Sequence, residues 1–290
     1  MQRLHQNHGG YRGETVDPQV VLTHCESAAR RHGWCIDRVP VTGRAPLLVL
    51  RRGPIGETGA PPRRVYMSAG IHGDEPAGPL AIQRLLETDA LPSGWAFCVL
   101  PCLNPAGLAA NRRENPDGLD LNRDYRHLRS PEVRAHVEWL ERQPRFHLCF
   151  CLHEDWEASG FYLYEVNPDN RPSLAPAMLE AVRGVCPVDL SPRIEGHPAQ
   201  GGLIRPQLDP DLRPEWPEAF WLLQHGKTRW SYTLEAPSDY PLEVRVQALS
   251  LAVQAALQAW KALWGAAGTS PEFECGPRSV GGVETGHASA

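Results

Sequence analysis

The stretch Val65-Tyr66-Met67-Ser68-Ala69-Gly70-Ile71-His72-Gly73-Asp74-Glu75-Pro76 decides how this chain is read. An apolar run, predicted to be a strand, ends at an imidazole and a carboxylate three residues apart. Gly73 permits a sharp turn between them. Pro76 suits the first turn of a helix, where its missing N–H costs nothing. Such a corner offers a metal one nitrogen and one oxygen ligand; with a further His from elsewhere, the set suits zinc. Taken alone, the pair more often describes a His and a Glu on an ordinary surface loop, because short motifs recur by chance.

Outward from this corner, apolar spacing predicts helices over 18–31, 78–87, 131–143, 174–183 and 241–263. It predicts strands over 46–51, 64–71, 95–103, 146–152, 160–165 and 229–234. Strands alternating with helices imply an α/β sandwich around a largely buried sheet. No linker divides the chain, so 16–264 reads as a single catalytic domain. Residues 1–15 read as a flexible N-terminus, and 265–290, small and polar, as a disordered tail. The stretch 189–227 is rich in Pro and Gly. A loop of that length inside a compact domain marks a functional or mobile element.

Composition narrows the function. The 290 residues are 42% apolar, enough for a substantial core, and the net charge is only −5. With no basic block, nucleic acid is a poor partner. No apolar run is long enough to cross a bilayer, so no membrane role is expected. The polar start lacks the apolar core of a signal peptide, which points to the cytoplasm. Most of the eight cysteines sit in apolar runs without a CxxC pair, consistent with buried reduced thiols rather than a cysteine-rich metal site.

Three further segments carry chemistry. His153 ends the run Phe146-His147-Leu148-Cys149-Phe150-Cys151-Leu152-His153. Alternation puts Phe146, Leu148, Phe150 and Leu152 on one face and His153 on the other, at the carboxyl edge where open α/β sheets bind ligands. His147 shares that parity but lies roughly 20 Å away at strand rise, and is excluded. A surface His at a strand end is the plain alternative for His153. Next, Asn104-Pro105-Ala106-Gly107 and Arg113-Glu114-Asn115-Pro116-Asp117-Gly118-Leu119-Asp120-Leu121-Asn122-Arg123 form a polar loop loaded with guanidinium and amide groups. Such groups match carboxylates, although a solvated loop with ordinary turns has the same composition. Finally, Glu235 emerges from the apolar strand Trp230-Ser231-Tyr232-Thr233-Leu234. Partial desolvation raises the pKa of such a carboxylate, which suits a general base that later acts as an acid.

In this order, His72-x-x-Glu75, Asn104-Pro-x-Gly107, Arg113, Asp120-Leu-Asn122-Arg123, His153 and Glu235 resemble the zinc metallocarboxypeptidases of the M14 type. The likeness is strongest to their bacterial branch of murein-peptide amidases and small carboxypeptidases, and covers roughly residues 40–262. The resemblance implies a three-layer α/β sandwich with a mixed, roughly eight-stranded sheet. It implies one Zn2+ held by His72, Glu75 and His153, Glu235 as catalytic base and Arg113 at the scissile carbonyl. Asn122 and Arg123 would hold the substrate's terminal carboxylate, and Asp120 would orient the His72 ring unless it is simply a structural salt-bridge partner.

Two departures from the family pattern stand out. Residues 205–231 contain no Tyr where many members carry a mobile one, so Trp216, Phe220 or Trp221 caps the site, or nothing does. Arg112 stands beside Arg113, and the spacing to Asn115 favours Arg113. In the 189–227 insert, Glu195, His197, Arg205 and Arg213 are candidate substrate contacts, with Gly196, Gly201 and Gly202 as hinges. Trp156 and Glu157 are candidates for the rim.

The expected activity is removal of a C-terminal residue from a small peptide. One alternative is deacylation of an N-acyl amino acid, as in succinylglutamate desuccinylase and aspartoacylase, which share the His-x-x-Glu, Asn-Arg and late-His pattern. Others are a murein-peptide amidase acting on a γ-D-glutamyl bond, and a non-catalytic binding module on the same fold.

Overall fold

The apolar run of the opening segment forms a central strand, β3 (Arg64–Ala69). Val65, Met67 and Ala69 pack into the apolar cluster on one face of the sheet, while Tyr66 and Ser68 face the other side. The computed structural model describes residues 3–7, 10–53 and 62–266, with the side chains of 264–266 left aside. Around β3 the chain runs α1 (Pro18–Arg31), β1 (Cys35–Val39), β2 (Leu47–Arg52), then β3, α2 (Ala77–Glu87), β4 (Ala96–Leu100), α3 (Pro105–Ala110), α4 (Pro131–Glu141), β5 (Leu148–Asp155) and β6 (Tyr162–Val166). It continues through α5 (Ala175–Arg183), β7 (Arg193–Ile194), β8 (His197–Gln200), β9 (Leu203–Ile204), α6 (Glu218–Gln224), β10 (Ser231–Pro237) and α7 (Leu242–Ala266).

The strands form one mixed sheet in the order β1-β2-β4-β3-β5-β10-β6-β9-β8-β7. Its centre, β4-β3-β5-β10, is parallel, while β2 and β6 flank it antiparallel. Helices α1, α2, α5 and α7 cover one face and α4 and α6 the other. Parallel strands covered on both faces read as continuous apolar runs, which is why β3 and β5 stand out in the sequence. All four central strands end at the same edge of the sheet, so His72, the 104–123 loop, His153 and Glu235 are delivered to one rim.

The three-layer α/β architecture is as expected, but the sheet has ten strands rather than eight. The first strand, Cys35-Ile36-Asp37-Arg38-Val39, lies at an edge, carries two adjacent charges and gives no apolar run. β7, β8 and β9 are two to four residues long and include Pro198; successive pairing outward from β6, through β9 and β8 to β7, defines them, not pattern. Two strands also run further than predicted. β5 continues through His153 to Asp155 and β10 through Glu235 to Pro237. Conversely, β5 begins only at Leu148, so Phe146 escapes the alternation and packs with Tyr66 in the opposite cluster.

The N-terminal segment, expected to be flexible, makes defined contacts among its described residues. Arg3 and the N–H of Gln6 donate to the Asp239 carboxylate, Leu4 N–H donates to the Asp239 carbonyl, and Tyr11 is buried against Arg245. Helix α7 runs to Ala266, and the tail expected beyond it lies outside the described residues. Among the described residues no helix is long and apolar enough to cross a membrane.

Candidate metal centre and active site

The chain turns sharply out of β3 because Gly70 takes the left-handed conformation, with φ +61°. Three residues on, Gly73 has no room for a side chain: a Cβ there would sit 2.0 Å from the Gly107 carbonyl carbon. The glycine therefore serves a close approach between two loops as well as a turn. Beyond it, Pro76 leads into α2, whose first N–H, on Ala77, donates to Glu154 Oε1 at 2.6 Å. These constraints fix His72 and Glu75 as one rigid unit.

His72, Glu75 and His153 converge. All three are buried, and one ligand atom from each lies within 4.8 Å of the others. Both rings present Nδ1 to the same carboxylate: His72 at 2.6 Å from Glu75 Oε1, and His153 at 2.8 Å from Oε2. The Glu154 main-chain N–H adds a bond of 3.1 Å to Oε2. Burial alone would raise the Glu75 carboxyl, but the two imidazoles overcome it and hold it well below the usual range. Two imidazoles and a buried carboxylate aimed at one point fit a divalent metal ion and leave room for a further ligand.

Asp120 supports this centre from outside. Its Oδ1 lies 3.1 Å from His72 Nε2 and accepts the Asn122 N–H at 2.9 Å, while Oδ2 accepts Arg113 Nε at 2.9 Å. A carboxylate on Nε2 fixes the ring's orientation and leaves Nδ1 to face the centre. Asp120 is thus hydrogen-bonded to His72 and ion-paired with Arg113.

Glu235 is laterally paired with His153 across β10 and β5, and lines the same cavity as the three converging residues. Burial raises its pKa well above the ordinary carboxylate value. The negative charge of Glu75 adds to this, followed by Glu195 and Asp155, while Arg113 opposes. The cavity encloses about 670 Å³ and is also lined by Arg113, Asn122 and Arg123. Arg113 Nη1 lies 3.6 Å from Glu75 Oε1, whereas Arg112 is exposed and does not reach the cavity. Asn115 does not reach it either: its amide donates to Glu132 and its carbonyl organises the turn at Asp117 and Leu119. Arg123 keeps a half-exposed guanidinium at the rim, 3.8 Å from Glu215.

The 189–227 insert forms one wall. Glu195, His197 and Arg213 line the cavity, as do Trp156 and Glu157 of the rim. Arg205 does not; it turns away to Glu165. Of the three aromatic candidates for the missing Tyr, Phe220 lines the cavity, Trp216 packs behind it, and Trp221 is a core residue. The sequence reading missed Tyr164 and Thr233, which line the cavity from β6 and β10, and Asp155, whose carboxyl burial pushes up to about 6. Alternation from Glu235 back to Thr233 would have found one of them.

Residues 61–186 match the model of the succinylglutamate desuccinylase/aspartoacylase catalytic domain. Carboxypeptidase SOL1 of Arabidopsis thaliana is 31% identical over 119 residues, 34% of this chain; the chain spans about a quarter (24%) of that relative's length. Among solved structures, a candidate metallopeptidase of Shewanella amazonensis SB2B superposes with a TM-score of 0.71 at 24% identity, covering 84% of this chain and 93% of its own. A metallo-carboxypeptidase of Burkholderia cenocepacia gives 0.65 at 19% identity, covering 86% and 70%. The fold is that of the metallocarboxypeptidases. The resemblance read from the sequence therefore stands, to these enzymes and to their desuccinylase/aspartoacylase relatives.

Proposed function

We propose that this protein is a zinc-dependent hydrolase that removes the C-terminal residue of a small peptide, with residues 16–264 as its one catalytic domain. The observation that carries this reading is the convergence of His72, Glu75 and His153 beside Glu235, in one cavity with Arg113, Asn122 and Arg123. Zinc held by the first three would act as a Lewis acid and lower the pKa of a bound water towards neutrality.

The chain's own residues do the rest. Arg123 and the Asn122 amide hold the substrate's terminal carboxylate, which turns binding into positioning. Arg113 faces the oxygen on which negative charge develops. Glu235 takes a proton from the attacking water and delivers it to the departing amine. The seven described cysteines are free thiols, which supports a reducing compartment such as the cytoplasm.

A second reading is deacylation of an N-acyl amino acid, favoured by the family match over 61–186. A hydrolysis panel on zinc-assayed protein separates the two: dipeptides, their C-terminal amides, γ-linked D-amino-acid peptides and N-acyl amino acids. Cleavage of the free-acid peptide but not its amide is expected. Equal cleavage of the amide would remove the carboxypeptidase reading, and activity confined to acyl amino acids would replace it with the second.

A further inference from the structure

Glu218 is an acid in a place that packing alone would fill with an apolar side chain. It opens α6, is 1% exposed, and lies outside the cavity, beneath the sheet. Its Oε1 accepts the Tyr66 hydroxyl at 2.6 Å and its Oε2 the Ser68 hydroxyl at 2.8 Å, both from β3. The Tyr66 hydroxyl is also 2.9 Å from His136 Nε2, and the Tyr125 hydroxyl is 2.7 Å from the other nitrogen of that ring. Every polar atom of this buried chain has a partner, so the chain is rigid. A buried carboxyl costs stability that a methionine of similar volume would not, which points to a role in position.

What it positions is seen at its main chain. The Glu218 N–H would be left unsatisfied by the helix it opens. It donates instead to Asn122 Oδ1 at 2.9 Å. Because the donor is an N–H, the acceptor must be the amide oxygen, so the orientation of the Asn122 amide is set by this bond. With Oδ1 engaged, what Asn122 has left to offer the cavity is its NH2 group. The neighbouring segment is fastened in the same way, through a parallel bridge between Asp124 and Trp216.

We propose that Glu218 is a positioning residue for substrate binding. Anchored on β3, the strand that leads to His72, it holds the Asn122 amide with its NH2 towards the substrate's carboxylate, in fixed register with the metal corner. This rests on the reading of Asn122 given above.

The test uses the zinc-loaded full chain and a free-acid peptide that it cleaves, with variants Glu218→Met, Glu218→Gln, Asn122→Ala and the Asn122→Ala/Glu218→Met double. Loss of one ordered hydrogen bond to substrate predicts a roughly 10-fold rise in KM for Glu218→Met, with kcat and zinc content close to wild type. Glu218→Gln accepts from Tyr66 and donates to Ser68, and keeps most of the wild-type KM. The double variant is no worse than Asn122→Ala, since both act through one contact. A wild-type KM in Glu218→Met, penalties that multiply in the double variant, or an equal fall in kcat and zinc content would overturn the proposal. If Glu218→Met does not fold, Tyr66→Phe and Ser68→Ala remove the anchors singly, and each must raise KM without lowering kcat. A silent Asn122→Ala would instead remove the substrate reading on which the proposal rests.

Discussion

Glu154 serves Glu75 from behind: its main-chain N–H donates to Oε2 of Glu75 at 3.1 Å, while its own carboxylate is buried and paired with Arg245. Arg245 is itself fully buried, and Tyr11 and Glu14 of the N-terminal segment complete its shell. The metal corner is thus backed by an ion pair that ties β5 to α7. Breaking such a pair from one side leaves an uncompensated charge, at a cost of about 3–5 kcal/mol. Arg245→Met is expected to lower the thermal midpoint accordingly and to weaken metal retention on dialysis. A midpoint equal to wild type would mean that the pair contributes no net stability.

Asp120 touches His72, Arg113 and the Asn122 main chain at once. Loss of a carboxylate that orients a metal-bound imidazole typically weakens metal affinity by roughly 10–100-fold. Asp120→Asn should therefore need more zinc for half-saturation in a competition titration, with an unchanged circular dichroism spectrum. Unaltered affinity would leave Asp120 a salt-bridge partner of Arg113 only.

Glu235 lines the cavity but is not one of the three converging residues. Glu235→Gln is expected to bind zinc as wild type does and to lose turnover by about 10²–10⁴-fold, the range for a positioned general base. Full activity in this variant would require another residue to take the proton.

The Glu218 carboxyl carries a pH signature of its own. Burial raises its pKa from 4.5 to about 7, and the bonds from Tyr66 and Ser68 only partly offset that rise. An acid whose pKa is higher in the folded state favours folding in its protonated form. Its contribution is complete below pH 4.5 and is lost as pH rises through about 7. Denaturation midpoints taken at intervals between pH 5 and 8 should therefore fall less steeply with pH in Glu218→Gln than in wild type. Parallel slopes would show that the carboxyl titrates as it does in the unfolded chain.

Much of this architecture was legible in the sequence because its central strands are buried on both faces. β3 and β5 announce themselves as unbroken apolar runs, and the polar residues at their ends then stand out. The edges were not legible. β1 is interrupted by the adjacent charges Asp37 and Arg38, and β7 to β9 are too short to carry a period. The site divides along the same line. His72, Glu75, His153 and Glu235 end or follow apolar strands and were found by position. Tyr164 and Asp155 lie among residues whose direction depends on where β5 and β6 stop. Glu218 was missed for a different reason: a Glu at a helix start is ordinary in sequence, and only the fold places it under Tyr66 and Ser68.

The hairpin of β7 and β8 and the segment 206–217 face the cavity from an edge of the sheet, with Glu195, His197 and Arg213 among their side chains, while the four central strands lead to His72, His153 and Glu235. Under the proposed function, such a division separates what is cut from how it is cut. If the proposed hydrolysis holds, exchange of that margin would retune selectivity while sparing the metal corner.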